Sequence, residues 1–181
     1  MNWKEQLSVL ETNKQWDNAI EFIKEYIAHN PNDVEAYIFI NYLLMNLLVE
    51  ENYDDSKHDL YKKLIKHYFN ESYRKFSHNP EYLFFTGITA VMSEWYFGIT
   101  VDDYEKMLKQ ATELAPHNDL YRISYYFGHQ DLSTKVALHY AQEVLDSQGS
   151  IQKQLKDKGA IGTYYLELIT NTAKSIIAAS H

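Results

Sequence analysis

The sequence predicts an all-α fold, an α-solenoid of about four stacked helical hairpins with a C-terminal capping helix. Three observations predict it. Only 3 prolines and 6 glycines occur in 181 residues, whereas a β-sandwich needs a turn signal every ~8–12 residues. Apolar residues recur at helical spacing, as at Trp16, Ile20, Ile23 and Ile27, while Glu21, Lys24 and Glu25 take the opposite face. The prolines sit in similar settings, His29-Asn30-Pro31-Asn32-Asp33, His78-Asn79-Pro80-Glu81 and Ala115-Pro116-His117-Asn118-Asp119. Each follows an amphipathic segment and precedes an aromatic-rich one. Proline cannot continue a helix, yet it suits the first turn of the next.

The elements follow in order. Trp3, Leu7 and Leu10 mark a helix over 3–13, and the Trp16 series marks one over 16–29. Asn30 can end the latter in the left-handed conformation. Asn32 or Asp33 then caps a helix over 33–48, with Glu35 three residues after Asn32 as in a capping box. The acidic segment Glu50-Glu51-Asn52-Tyr53-Asp54-Asp55 reads as an insertion before a helix over 55–77. The most apolar helix covers 81–97, with Glu94 inside it. Helices over 102–115, 118–128 (capped by Asn118) and 132–147 come next. In the last segment, Leu155, Ile161, Tyr165, Leu168, Ile169, Ala173 and Ile176 form an apolar series that Gly159 and Gly162 break or kink. Such a segment caps the exposed end of a stack.

Residues 3–33 resemble a tetratricopeptide repeat. Trp3, Leu7 and Leu10 match the first-helix stripe; Trp16, Ala19, Ile20 and Phe22 match the second helix; Asn30-Pro31-Asn32 closes the unit. Tyr37, Ile40 and Leu44 open a second unit, and Leu83, Gly87 and Ala90 a third, closed by Ala111, Leu114 and Pro116. A weaker fourth runs from Tyr121 through Gly128-His129-Gln130-Asp131 to Ala137, Ala141 and Leu145. The prolines are 49 and 36 residues apart, against a family period of about 34; the acidic segment accounts for the longer interval. The chain departs from the pattern at Leu7 and Tyr26, where the family prefers small residues. The resemblance implies one domain over 1–181, with repeats at about 1–33, 34–80, 81–117 and 118–147 and a cap at 150–181. It also implies a ligand groove on the first helix of each repeat. Groove-facing candidates are then Lys4, Ser8 and Glu11; Glu35, Ile38 and Tyr42; Phe84 and Ile88; Arg122 and Tyr126.

Charge narrows the function. With 17 Lys+Arg against 25 Asp+Glu, the net charge is −8, which disfavours nucleic acid as a direct partner and favours a basic one. Absence of cysteine excludes disulfides and thiolate chemistry. The opening residues Met1-Asn2-Trp3-Lys4 lack a secretory pattern. The apolar run Tyr82–Val101 carries Glu94, which costs about 2.5–3.5 kcal/mol in a bilayer, so no membrane span is expected and the expected location is cytoplasmic.

A search for chemistry finds no phosphate loop, paired-histidine zinc motif, calcium loop or nucleophile elbow. Eight histidines are present. Asp54/His58 and His67/Glu71 each stand four apart, but two ligands do not make a zinc site, and such pairs occur on solvated helices. No metal, cofactor or catalytic residue is expected. The acids Asp102, Asp103 and Glu105 suit a helix N-terminus; Glu50, Glu51, Asp54 and Asp55 have no such explanation and form a candidate docking loop. The expected partner-binding set is Glu11, Glu35, Tyr42, Glu50, Glu51, Asp54, Asp55, Arg122 and Tyr126. The expected function is a non-enzymatic protein-binding module: a bacterial immunity protein that neutralises a basic toxin domain, or a secretion or assembly chaperone holding an extended segment. A helical enzyme with a Glu/His site is the opposing class.

Overall fold

The structure, a computed structural model, describes residues 2–130, 132, 134–146 and 148–180. Among these residues there are eleven α-helices and no strand. They fall into two compact units, Met1–Leu114 and Ala115–His181.

In the first unit, α1 (Trp3–Thr12) packs on α2 (Trp16–His29), and α2 packs on α3 (Val34–Val49). Helix α3 also packs against α4 (His58–Phe76) and α5 (Pro80–Ala90), and α5 packs against α7 (Val101–Leu114). A short 3₁₀ turn, Asp55–Lys57, leads into α4, which also touches α6 (Glu94–Phe97). This neighbour-on-neighbour packing belongs to the general helical-repeat class.

Local chemistry accounts for several boundaries. Asn2 and Glu5 form a reciprocal capping box at α1. Asp33, rather than Asn32, caps α3, accepting from the backbone N–H of Glu35 and Ala36 at 3.0 and 3.3 Å. Asn79 caps α5 ahead of Pro80 by accepting from the Tyr82 N–H at 3.0 Å. Asn30 is not left-handed: its φ is −128°, and its side-chain amide donates to the Tyr26 carbonyl at 3.0 Å. That bond closes α2 without a positive φ. Among the described residues, the non-glycine residue with positive φ is Lys14 (53°), in the tight α1–α2 loop.

Two further expectations are corrected. The helix expected over 81–97 ends at Ala90 and restarts at Glu94. Thr89 turns its hydroxyl back onto the Phe85 carbonyl at 2.7 Å, which weakens a helical ladder. Ser93 then adopts φ −170°. Glu94 therefore begins a short helix, half-buried, rather than lying inside a long apolar one. Asp54 and His58 do not share a helix face either. Asp54 caps the 3₁₀ turn by accepting from the Ser56 N–H, and His58 turns to the Tyr53 hydroxyl.

Helix α3 is buried nearly all round, from Ala36 to Leu48 with Asn46 half-exposed, as expected of a helix with neighbours on several sides. Gly87 of α5 allows a close approach to α7: a Cβ there would stand 2.9 Å from Leu108 Cδ2. A polar thread runs through this core. The Tyr82 hydroxyl meets Ser72 Oγ at 2.7 Å, and the Asn41 amide donates to Ser72 Oγ at 3.3 Å.

In the second unit, α8 (Asp119–His129) packs on α10 (Ser150–Lys156), and α11 (Gly159–Ala179) packs on α9 (Lys135–Leu145) and α10. Asn118 caps α8 as expected, and Thr134 caps α9. The expected helix over 132–147 is thus shorter; Ser133, Ser147 and the Asp131 of the fourth repeat lie outside the described residues, as do Met1 and His181. The C-terminal segment breaks before Gly159, while Gly162 lies within α11. A Cβ at Gly162 would stand 1.8 Å from the Leu155 carbonyl oxygen, so the α10–α11 contact admits only glycine there.

Candidate functional site

The acidic insertion is anchored to the loop of the first hairpin. Lys14 has a left-handed backbone, and its ammonium donates to Glu51 at 2.9 Å. Asp17, in the first turn of α2, accepts from the Lys57 ammonium and from the Tyr61 hydroxyl, the latter at 3.1 Å. Lys57 above all holds the Asp17 carboxyl below its ordinary range. Burial, aided by the Asp17 charge, pushes Tyr61 up to about 12. The hydrogen bonds from Ser56 hold the Asp54 carboxyl low as well. A cavity of about 290 Å³ opens between the loop and the insertion, lined by Lys14, Asp17, Tyr53, Asp54, Lys57 and Tyr61 among others.

Two of the four predicted acids of the insertion are thus tied down, Glu51 by an ion pair and Asp54 by a cap. Glu50 and Asp55 are exposed, with no ion pair among the described residues. Together with Asp54 they form a rim of carboxylates on a segment pinned by Lys14 and Lys57. The repulsion expected among four neighbouring acids is relieved in part by Lys14, which pairs with Glu51, and by the charge of Lys57 near Asp54. Both lysines escape sequence reasoning, because their partners lie 37 and 40 residues away in the chain.

The candidates on the first helices separate. Glu35 pairs with Lys4 at 2.6 Å. Glu11 is half-buried, and burial pushes its carboxyl up to about 7. Tyr42 is only 5 % exposed, Ile38 2 % and Phe84 1 %; these three are core residues of α3 and α5 and do not present a groove. The reason is the packing around α3 and α5, which covers faces that the repeat pattern leaves open. In the second unit, Arg122 pairs with Asp119 at 2.6 Å and lies 5.3 Å from the centre of the Tyr140 ring. Tyr126 meets the same ring edge-on at 5.1 Å. These two predicted residues are therefore brought together, through a tyrosine that sequence reasoning did not single out.

Among the described residues no three His, Asp or Glu side chains gather as a metal site. His67 and Glu71 make the expected i,i+4 pair, at 3.6 Å. Glu71 also accepts from Tyr37 and Lys75, and Lys75 donates to the Pro31 carbonyl at 3.2 Å, so the cluster fastens the first proline junction to α4. No described helix is long and apolar enough to cross a membrane. Comparison of the chain with family models, with curated proteins and with solved structures finds no match.

Proposed function

We propose that this chain is a non-enzymatic protein-binding module, specifically a cytoplasmic immunity protein that binds and neutralises a cognate basic toxin domain through the acidic rim at residues 50–55. The observation that carries the reading is the state of the insertion. Glu50 and Asp55 are exposed and unpaired, on a segment that Lys14 and Lys57 fasten to the first hairpin. A charged loop fixed before encounter loses less conformational entropy on binding than a free one. In a chain of net charge −8, such a rim steers a basic partner toward productive collision. The helical-repeat architecture supports a binding role in general.

A chaperone that lays an extended segment along first helices is less well supported, since Ile38, Tyr42 and Phe84 are buried. The test looks for a basic toxin domain encoded beside the gene and co-expresses it with this chain. Growth should be rescued by this chain and lost again with the double substitution Glu50→Lys and Asp55→Lys. Absence of rescue by the unmodified chain would remove the immunity reading.

A further inference from the structure

The face of α4 that borders α6 carries Lys62, Lys63 and Lys66, all exposed. None of the three makes a hydrogen bond or ion pair among the described residues. In an acidic chain this is a local reversal of charge. A cleft of about 380 Å³ lies beside them, lined by Asp59, Lys62, Lys63, Lys66, Trp95 and Tyr96.

The second wall of the cleft is aromatic and supported from behind. Trp95 is 62 % exposed, and its ring meets that of Tyr96 at 5.6 Å and 48°, forming a corner rather than a stack. Tyr96 meets His58 edge-on at 5.9 Å. His58 lies parallel to the Tyr53 ring at 6.2 Å and pairs with its hydroxyl. Gly98 then ends α6 with φ +74°. A Cβ there would meet Lys66 Cε at 3.1 Å and Nζ at 3.2 Å. Glycine thus serves twice, for the left-handed turn and for the room in which the Lys66 stem lies.

We propose that this cleft binds a nucleotide, with its base stacked on Trp95 and its phosphates held by Lys62, Lys63 and Lys66. Lysine is an effective point-charge partner for phosphate, and an open indole face stacks on any base. The cavity volume falls within the range of small-ligand sites. The lining sets three lysines against one carboxylate, Asp59, so the excess positive charge is local to this cleft. That favours a compact charge cluster beside a flat ring over a long polyanionic strand. An acidic peptide would use the lysines but has no need of the exposed indole.

The experiment titrates the full chain with ADP, adenosine, pyrophosphate and hexaglutamate, read by calorimetry and by tryptophan fluorescence. ADP should bind with 1:1 stoichiometry, and adenosine and pyrophosphate each about tenfold more weakly or worse. Trp95→Leu and the pair Lys62→Ala/Lys66→Ala should each weaken ADP about tenfold; these side chains are exposed, and circular dichroism checks that the variants fold. Lack of ADP binding at millimolar concentration, pyrophosphate or hexaglutamate binding as tightly as ADP, or unchanged ADP affinity in both folded variants would each overturn the proposal.

Discussion

Replacing Gly162 by alanine sets two effects of opposite sign against each other. Alanine in place of glycine inside a helix stabilises by about 1 kcal/mol. Against that, the new Cβ would stand 1.8 Å from the Leu155 carbonyl oxygen and 2.8 Å from its carbon. Both are backbone atoms that cannot swing away like a side-chain tip, so α10 and α11 must separate by more than an ångström. Leu155, Ile151 and Ile161 are all buried at this contact, and overpacking of this kind costs ~1–3 kcal/mol or more. A 1.8 Å approach to backbone belongs at the upper end of that range, so the clash wins and the net expectation is a loss of about 2 kcal/mol. Gly128 supplies the control. It lies in α8, is exposed, and has nothing within 4 Å of a built Cβ, so Gly128→Ala should stabilise by a few tenths to about 1 kcal/mol. Urea unfolding followed by circular dichroism reads both variants. If Gly162→Ala stabilises as Gly128→Ala does, α10 and α11 do not pack this closely and the reasoning fails.

Three further outcomes follow from the same contacts. Glu11→Gln should become more stable than the parent by ~1–3 kcal/mol at pH 8 and equal to it near pH 4. The raised pKa of Glu11, about 7 against an ordinary 4.5, means that its contribution is present below 4.5 and is lost as pH rises through 7; urea melts at both pH values decide the sign. Tyr82→Phe should cost ~1 kcal/mol, because the buried Ser72 hydroxyl loses its tyrosine partner, and thermal melting reads the loss. Asp17→Asn should cost at most ~1 kcal/mol at pH 7, since the Lys57 pair is largely exposed. With its folded pKa lowered from 3.8, Asp17 stabilises above that value and ceases to do so as pH falls below it, so parent and variant should converge in acid.

The helix junctions were legible in the sequence because their chemistry is local. Asn79-Pro80 and Asn118 act on backbone N–H groups three residues away, and a reader of the chain sees both partners at once. The break at Ala90–Ser93 was not legible, since no proline or glycine marks it and Val91 and Met92 continue the apolar run. The burial of Tyr42 was hidden for a different reason. A tyrosine on a first helix faces a groove in a regular repeat stack, and only the packing of α2, α4 and α5 around α3 turns it into core. The acids of the candidate site were visible as a cluster, but their restraints were not. Lys14 reaches Glu51 from a left-handed loop position 37 residues earlier in the chain, and Lys57 of the 3₁₀ turn reaches back 40 residues to Asp17 of α2. The lysine face of α4 was likewise masked by the net negative charge of the chain.

Under the proposed function, the carboxylates at 50–55 recognise a basic protein. The deciding measurement is the association rate of the purified chain with a basic toxin domain, should one be encoded beside its gene, followed by stopped flow over a range of salt. A rate that falls steeply with ionic strength, and that drops further in the Glu50→Lys/Asp55→Lys variant, is the predicted result. A rate indifferent to salt, or the same in the charge-reversed variant, would contradict the account.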